Sequence, residues 1–205
     1  MGLDWTGNKK STFVQLGASN HSNKEREQND FYATDPKSLE IFLEKLDEDK
    51  IYLHKNIWEC ACGKGHLSKV LEEKGYNVHS TDIVDRGYGI GNVDFLKQDT
   101  SFEGDILTNP PFKYAEKFVE KSMSLLKDNY YLILFLKIQF LEGQARKEMF
   151  KKYPPKYIYV NSKRQLCAMN GEFEKYNATA ICYCWFIWQK NWKGETVIRW
   201  IWIIK

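Results

Sequence analysis

Short apolar runs alternate with apolar stripes at helical spacing over most of the chain. The runs predict strands at 56–60, 76–81, 103–108 and 130–136. The last run is almost unbroken, as in a strand buried on both faces of a sheet. The stripes predict helices at about 36–47, 112–126 and 144–153, and another that begins after Gly65 and is stopped by Gly75. This alternation predicts an α/β fold with a mostly parallel sheet.

The C-terminal part of the chain has a different pattern. Two apolar runs, at 157–160 and 179–188, follow one another with no helical stripe between them. They predict two strands that pair antiparallel around a loop at 161–178. A last apolar run at 197–203 predicts a final strand.

The composition is that of one domain. The 205 residues are 43% hydrophobic, which is enough to bury a core. Residues 1–30 are polar with isolated apolar positions, which predicts a flexible N-terminal arm before a single domain at 31–205. No apolar run approaches a membrane span, and the N-terminus has no secretory signal pattern, so we expect no membrane partner.

The cysteines indicate a reducing compartment. Their number is odd, and most lie in apolar, strand-like segments, as expected of reduced core residues in a cytoplasmic protein. The two Cys-x-Cys pairs have no His at ligand spacing nearby, so packing is favoured over metal binding and no metal site is expected. The five are Cys60, Cys62, Cys167, Cys182 and Cys184.

The tetrapeptide Asn-Pro-Pro-Phe at 109–112 ends the predicted strand at 103–108. Pro110 and Pro111 cannot continue a helix and donate no backbone hydrogen bond, so they predict a stiff turn. Such a turn would hold the Asn109 amide, the Pro110 carbonyl and the Phe112 ring in a fixed relation, suited to a flat group that carries an amine. A Pro-rich loop with Phe112 in the core fits these residues equally well.

A glycine turn links the strand at 56–60 to the next helix. Gly63 and Gly65 let the backbone approach a ligand, and Asp82 follows the second strand, where a carboxylate accepts ribose hydroxyls. Such units bind nucleotide-like cofactors at the carboxyl ends of the strands.

Two departures argue against a dinucleotide at this turn. Ser68 stands where a third glycine would be, and Glu59 precedes the turn, where an acid would repel a pyrophosphate. A cationic ligand without phosphate fits better, which favours S-adenosyl-L-methionine. A dehydrogenase is disfavoured, since an obvious catalytic dyad is also missing.

Three weaker signals accompany these motifs. Thr34 and Asp35 precede Pro36, where Asp35 is a good helix N-cap. Asp94 and Phe95 fit an adenine amine and ring, or equally a turn residue beside a core Phe. Residues 144–164 hold seven basic residues against one acid, which suits phosphate contacts or a solvated face. Within that segment the favoured contacts are Arg146, Lys147, Lys163 and Arg164.

In their order along the chain, these motifs resemble the S-adenosylmethionine-dependent DNA adenine-N6 methyltransferases, of the small kind carried by phages and prophages. The resemblance covers roughly residues 31–203. It implies the class I methyltransferase fold, a Rossmann-like, seven-stranded, mostly parallel sheet with helices on both faces and an antiparallel C-terminal hairpin. It also implies no separate target-recognition domain.

The resemblance implies a role for each motif. Thr34 and Asp35 would contact the methionine carboxylate, and Asp82 the ribose. The cofactor loop would comprise Glu59, Ala61, Cys62, Gly63 and Gly65. Asp94 and Phe95 would bind the cofactor's adenine. The catalytic residues would be Asn109, Pro110, Pro111 and Phe112.

The implied substrate is the N6 amine of adenine in DNA, with RNA as the alternative partner, in the cytoplasm of a bacterial host cell. A monomer or weak dimer is expected. Methylation of adenine N6 or guanine N2 in RNA, or of a protein glutamine, stays open because a similar tetrapeptide serves those amines. A non-catalytic cofactor- or DNA-binding module is a more distant alternative.

Overall fold

The computed structural model describes residues 32–165, 167–169 and 181–202. The predicted arm at 1–30 and part of the predicted loop at 161–178 lie outside these ranges. The strands are β1 Tyr32–Thr34, β2 Asn56–Glu59, β3 Asn77–Ser80, β4 Asp105–Thr108, β5 Tyr131–Lys137, β6 Tyr157–Asn161, β7 Cys167–Met169, β8 Tyr183–Gln189 and β9 Val197–Ile201. The α-helices are α1 Pro36–Glu48, α2 His66–Glu73, α3 Ala115–Leu125 and α4 Lys147–Lys152. Short 3₁₀ helices cover Phe95–Lys97, Phe112–Tyr114, Ile138–Leu141 and Gln144–Arg146.

Seven strands form the main sheet in the order β3-β2-β4-β5-β8-β6-β9. Within it, β8 pairs antiparallel with both neighbours, and the other pairings are parallel. The predicted α/β fold and the antiparallel pairing of β6 with β8 are confirmed. The final strand β9 lies at the sheet edge, parallel to β6.

Two short strands outside the main sheet were not predicted. Strand β1 pairs antiparallel with β7, with Tyr32 opposite Met169 and Thr34 opposite Cys167. The prediction of an uninterrupted loop at 161–178 is therefore wrong at β7. Three residues are too few to show a period of two in the sequence, and the pairing joins distant segments.

Helices cover both faces of the sheet because side chains of β5 and β8 alternate between two cores. On one face, Phe42 of α1 stacks on Trp185, with ring centroids 4.6 Å apart. On the other face, Phe140 meets Phe186 edge-on, with centroids 5.7 Å apart. This double coverage explains why β5 and β8 read as continuous apolar runs.

A buried carboxylate joins strands at the amino-terminal edge of the sheet. Asp105, at the start of β4, accepts hydrogen bonds from the backbone N–H groups of His54, at 2.7 Å, and Tyr131, at 2.8 Å. The His54 ring nitrogen Nδ1 lies 2.9 Å from the same carboxylate. Burial raises the pKa of Asp105, and these hydrogen bonds oppose the rise.

Candidate active site

A cavity of about 360 Å³ opens at the carboxyl ends of β2, β3 and β4. Parallel strands direct their carboxyl ends to one edge, which is where α/β folds bind ligands. Its volume lies within the range of small-molecule sites. Predicted site residues that line the cavity are Thr34, Glu59, Ala61, Cys62, Asp82, Asp94, Phe95, Asn109 and Pro111. Of the predicted cofactor-binding and catalytic residues, five are outside this lining set, namely Asp35, Gly63, Gly65, Pro110 and Phe112.

Glu59 is the most buried acid of the cavity lining, with only 2% of its surface exposed. Its carboxylate accepts a hydrogen bond from the Ser68 hydroxyl, which also lies 2.7 Å from the Ser80 hydroxyl. Burial raises the pKa of Glu59 to about 8, although hydrogen bonds from Ser68 favour the charged form. Ser68 thus occupies the place of a third glycine and instead holds an acid at the end of β2.

Asp82 supports the glycine turn from the end of β3. Its two carboxylate oxygens accept hydrogen bonds from Gly63 N at 2.8 Å and from Val84 N at 2.9 Å. A carboxylate offers about four acceptor positions, so ligand hydroxyls could still bind. The predicted ribose contact is compatible with this arrangement and stays a prediction.

Gly65 makes room for an aromatic ring. It has a φ of +78°, and a Cβ atom there would come within 2.4 Å of the Tyr88 ring. Tyr88 in turn donates a hydrogen bond to Glu72 of α2. The glycine is therefore required by the packing of Tyr88, which sequence reasoning did not include.

The pair Asp94 and Phe95 combines both interpretations from the sequence. Asp94 caps its 3₁₀ helix by accepting from Leu96 N at 3.0 Å. Phe95 is a core residue whose ring packs edge-on against Trp58, with centroids 5.2 Å apart. Both nevertheless line the cavity.

Asn109 follows β4 and has a fixed orientation. Its Nδ2 donates to the Tyr32 carbonyl of β1 at 2.8 Å and lies 3.6 Å from the Cys167 thiol of β7. Because a carbonyl only accepts, Nδ2 must face Tyr32, which leaves Oδ1 on the other side. Oδ1 is buried and has no hydrogen-bond partner among the residues that the structure describes. The contacts with β1 and β7 thus fix the amide so that its Oδ1 acceptor has no partner among the described residues.

Phe112 lies beside the cavity rather than in its lining. The Lys137 ammonium, from the end of β5, sits 4.8 Å from the Phe112 ring centroid. Tyr183 packs nearby, with its ring centroid 5.9 Å away. Asp35 also has a local role, since it caps α1 by accepting from Lys37 N at 3.0 Å.

The predicted phosphate-contacting residues lie away from the cavity lining. Arg146 donates to the carbonyls of Phe140 and Glu142 and stacks on the Phe140 ring at 4.8 Å. It therefore holds the segment after β5 in place. The other three, Lys147, Lys163 and Arg164, are exposed.

Several lining residues were not singled out from the sequence. At the rim, the ammonium groups of Lys113 and Lys117 lie 4.8 Å and 5.7 Å from the Tyr114 ring centroid. Their spacing of four positions just after the tetrapeptide was an available signal. No signal in the sequence could indicate the role of the Tyr32 carbonyl, because every residue type has a backbone carbonyl. Other unpredicted lining residues are Ala33, Cys60, His66, Leu67, Ile83, Arg86, Val93, Leu96 and Phe118.

Two absences concern only the described ranges. None of their helices has both the length and the apolar character needed to cross a membrane. Within the same ranges, no cluster of three or more His, Cys, Asp or Glu side chains is placed to hold a metal ion.

Solved structures with the same architecture identify the fold. No protein-family model matches the chain, and no curated protein matches it. A Listeria monocytogenes protein assigned as a class I S-adenosylmethionine-dependent methyltransferase has a TM-score of 0.57 at 17% identity, covering 93% of this chain and 71% of its own. A Pyrococcus horikoshii protein assigned as an RNA methyltransferase has a TM-score of 0.58 at 15% identity, covering 88% and 97%. The type IIG restriction endonuclease BpuSI has a TM-score of 0.54 at 16% identity, covering 85% of this chain and 27% of its own.

The chain therefore has the class I methyltransferase fold. At 17% identity or less, these structures establish the fold alone.

Proposed function

We propose that this protein is a methyltransferase that transfers a methyl group from S-adenosyl-L-methionine to the N6 amine of adenine in DNA. The cavity suits this cofactor in volume and in charge. Two acids, Glu59 and Asp82, face a space in which the cofactor would place positive groups and ribose hydroxyls. When bound, the cofactor supplies an electrophilic methyl group for direct displacement.

Each part of the lining has a proposed task. Asp82 would accept the ribose hydroxyls, and Glu59 would compensate positive charge. Asp94 would accept from the cofactor's adenine amine beside the Phe95 ring, and Thr34 would contact the methionine end. The Gly63 turn would keep Asp82 in place, because its N–H group already binds that carboxylate.

The observation that carries the proposal is the orientation of Asn109. The lone pair of an exocyclic amine on an aromatic ring is delocalised, so the amine is a poor nucleophile. Accepting its two hydrogens at Asn109 Oδ1 and the Pro110 carbonyl would localise that pair on nitrogen. Oδ1 is the buried acceptor that lacks a described partner, and Nδ2 is already held by Tyr32. Catalysis then rests on positioning, and no covalent enzyme intermediate is needed.

DNA as the substrate rests on the resemblance of the motifs and on the basic residues near the catalytic edge. A base in a duplex would have to leave the stack to reach Asn109. An RNA substrate is the second candidate, favoured by the similarity to the Pyrococcus protein assigned as an RNA methyltransferase. For phosphate contacts, Lys147, Lys163 and Arg164 are exposed, whereas Arg146 is engaged with backbone carbonyls.

The test is to incubate the purified protein with radiolabelled S-adenosylmethionine and with DNA, RNA or protein, and then to identify the methylated product after digestion. We expect N6-methyladenine from DNA. A methylated product found only in RNA would make RNA the substrate in place of DNA. A methylated product found only in protein would refute a nucleic-acid substrate.

Replacing Asn109 tests the mechanism. Asn109→Ala should abolish methyl transfer and leave cofactor binding by calorimetry nearly unchanged. The matched control is Asn77→Ala, at the start of β3 on the opposite edge, which should keep full activity. Substantial transfer by the Asn109 variant would overturn the proposed role.

A further inference from the structure

The strongest unassigned feature is an ammonium group at the catalytic turn. Lys137 ends β5, next to β4, whose end leads into Asn109. Its Nζ lies 4.8 Å from the Phe112 ring centroid. The residue is half-buried, and it does not line the cofactor cavity. It lies just after the predicted strand at 130–136 and was given no role from the sequence.

Within the described part of the chain, the Lys137 ammonium has no compensating carboxylate. Among the residues that the structure describes, no carboxylate forms an ion pair with its ammonium. Its ammonium instead lies over the face of the Phe112 ring, which attracts a cation less strongly than a carboxylate does. A half-buried ammonium that has no carboxylate partner among the described residues is a place where an anion would bind favourably.

Lys137 also lies near Cys167, the residue of β7 that contacts Asn109. Burial raises the pKa of the Cys167 thiol to about 11, and the nearby Lys137 charge opposes that rise. The same thiol lies 3.6 Å from Asn109 Nδ2. The ammonium therefore lies over the Phe112 ring and close enough to the Cys167 thiol to act on its charge, and that thiol in turn contacts the Asn109 amide.

We propose that Lys137 binds the phosphate of the nucleotide whose base is presented to Asn109 and Phe112. A base stacked on Phe112 carries its own sugar-phosphate, and the flexible lysine stem lets the ammonium follow that phosphate from the ring face. The substrate is then a nucleic-acid strand rather than a protein glutamine, which carries no charge. This inference rests on the proposed function and deepens it.

Binding without turnover tests the proposal. A fluorescein-labelled, adenine-containing DNA oligonucleotide, single-stranded and duplex, is titrated with the protein in S-adenosylhomocysteine, and anisotropy is followed at several salt concentrations. Lys137→Gln and Lys137→Met should each weaken binding about tenfold, as for loss of one charge-assisted hydrogen bond. The slope of log affinity against log salt should fall by about one. Lys137→Arg should restore both.

Lys127→Gln is the matched control. It removes the same charge at the opposite edge of the sheet, where Lys127 pairs with Glu103. It should leave DNA binding and its salt slope unchanged. Cofactor binding by calorimetry should be equal in all variants.

Three outcomes overturn the proposal: neutral Lys137 variants with wild-type affinity and slope, an equal loss in the Lys127 control, or a wild-type protein that binds no DNA and methylates a protein substrate. DNA binding that depends on Lys137 without N6-methyladenine formation would refute the proposed reaction while leaving the Lys137 contact supported.

Discussion

Glu59 is a buried carboxyl group whose charge should depend on the contents of the cavity. Its pKa of about 8 in the free protein means that it is mostly protonated at pH 7. A cation bound beside it favours the carboxylate, so binding releases a proton. We expect S-adenosylmethionine affinity to rise with pH up to about 8 and then to level off. Calorimetry in buffers of different ionisation enthalpy measures both the affinity and the released proton.

Glu59→Gln is the control for that pH dependence. It removes only the Glu59 carboxyl group, so pH effects from every other group of the protein and from the ligand are the same in both measurements. The variant should bind S-adenosylmethionine more weakly than wild type at pH 9, and its affinity should not rise as the pH approaches 8. An identical pH profile in both proteins would show that Glu59 does not face the bound cation.

The same carboxyl group should lower stability as pH rises. Its pKa is about 8 when folded, against 4.5 for the unperturbed group, so the unfolded chain loses this proton first. Its unfavourable contribution therefore grows between these two values and is constant above the higher one. Glu59→Gln should gain melting temperature relative to wild type from pH 5 to pH 8.5. A difference that stays constant with pH would contradict the raised pKa.

At the scale of elements, Asp105 ties β4 to β5 and to the segment before β2. Asp105→Ala would leave the N–H groups of His54 and Tyr131 without their acceptor, which should lower the free energy of unfolding by about 3 kcal/mol. Urea denaturation measures the loss. Glu103→Ala, two residues away in an exposed ion pair, should have a much smaller effect. Equal effects would mean that Asp105 is not a buried junction.

The elements found from the sequence are those that bury apolar side chains in a regular pattern. Strands β5 and β8 lie between two cores and are continuous apolar runs in the sequence. Helix α1 has an N-cap residue and an apolar stripe, so all three elements can be predicted from local sequence. Strands β1 and β7 are three residues long, and their pairing is visible only in three dimensions. The sequence placed Glu59, Asp82 and Asn109 at the ends of predicted strands, and all three line one cavity because the ends of parallel strands meet at one edge. The hydrogen bond from Ser68 to Glu59 and the position of Lys137 over the Phe112 ring depend on side-chain packing. The spacing of residues along the sequence does not reveal such packing.

At the scale of the whole molecule, the parallel arrangement brings the candidate donor site and the acceptor turn to one edge. Asp105, which ties neighbouring strands together, lies at the opposite, amino-terminal edge of the sheet. The two sets of variants should therefore separate: changes at Asp105 should act on unfolding, and changes at Asn109 on transfer. Strand β9 adds a seventh strand at the side of the sheet far from β3, so the proposed site needs no contribution from it.

The contact between Asn109 and Tyr32 spans 77 positions of the chain, and that between Asn109 and Cys167 spans 58. The β1–β7 pairing that supplies both contacts joins positions 133 to 137 apart, against 46 to 58 for β5 with β8, so its loop closure costs more and it should form later. The sheet should therefore assemble before the amide of Asn109 is oriented. In refolding experiments, tryptophan fluorescence from the core should recover first, and methyl transfer should lag behind it. Simultaneous recovery would indicate that β1 and β7 pair as early as the central strands.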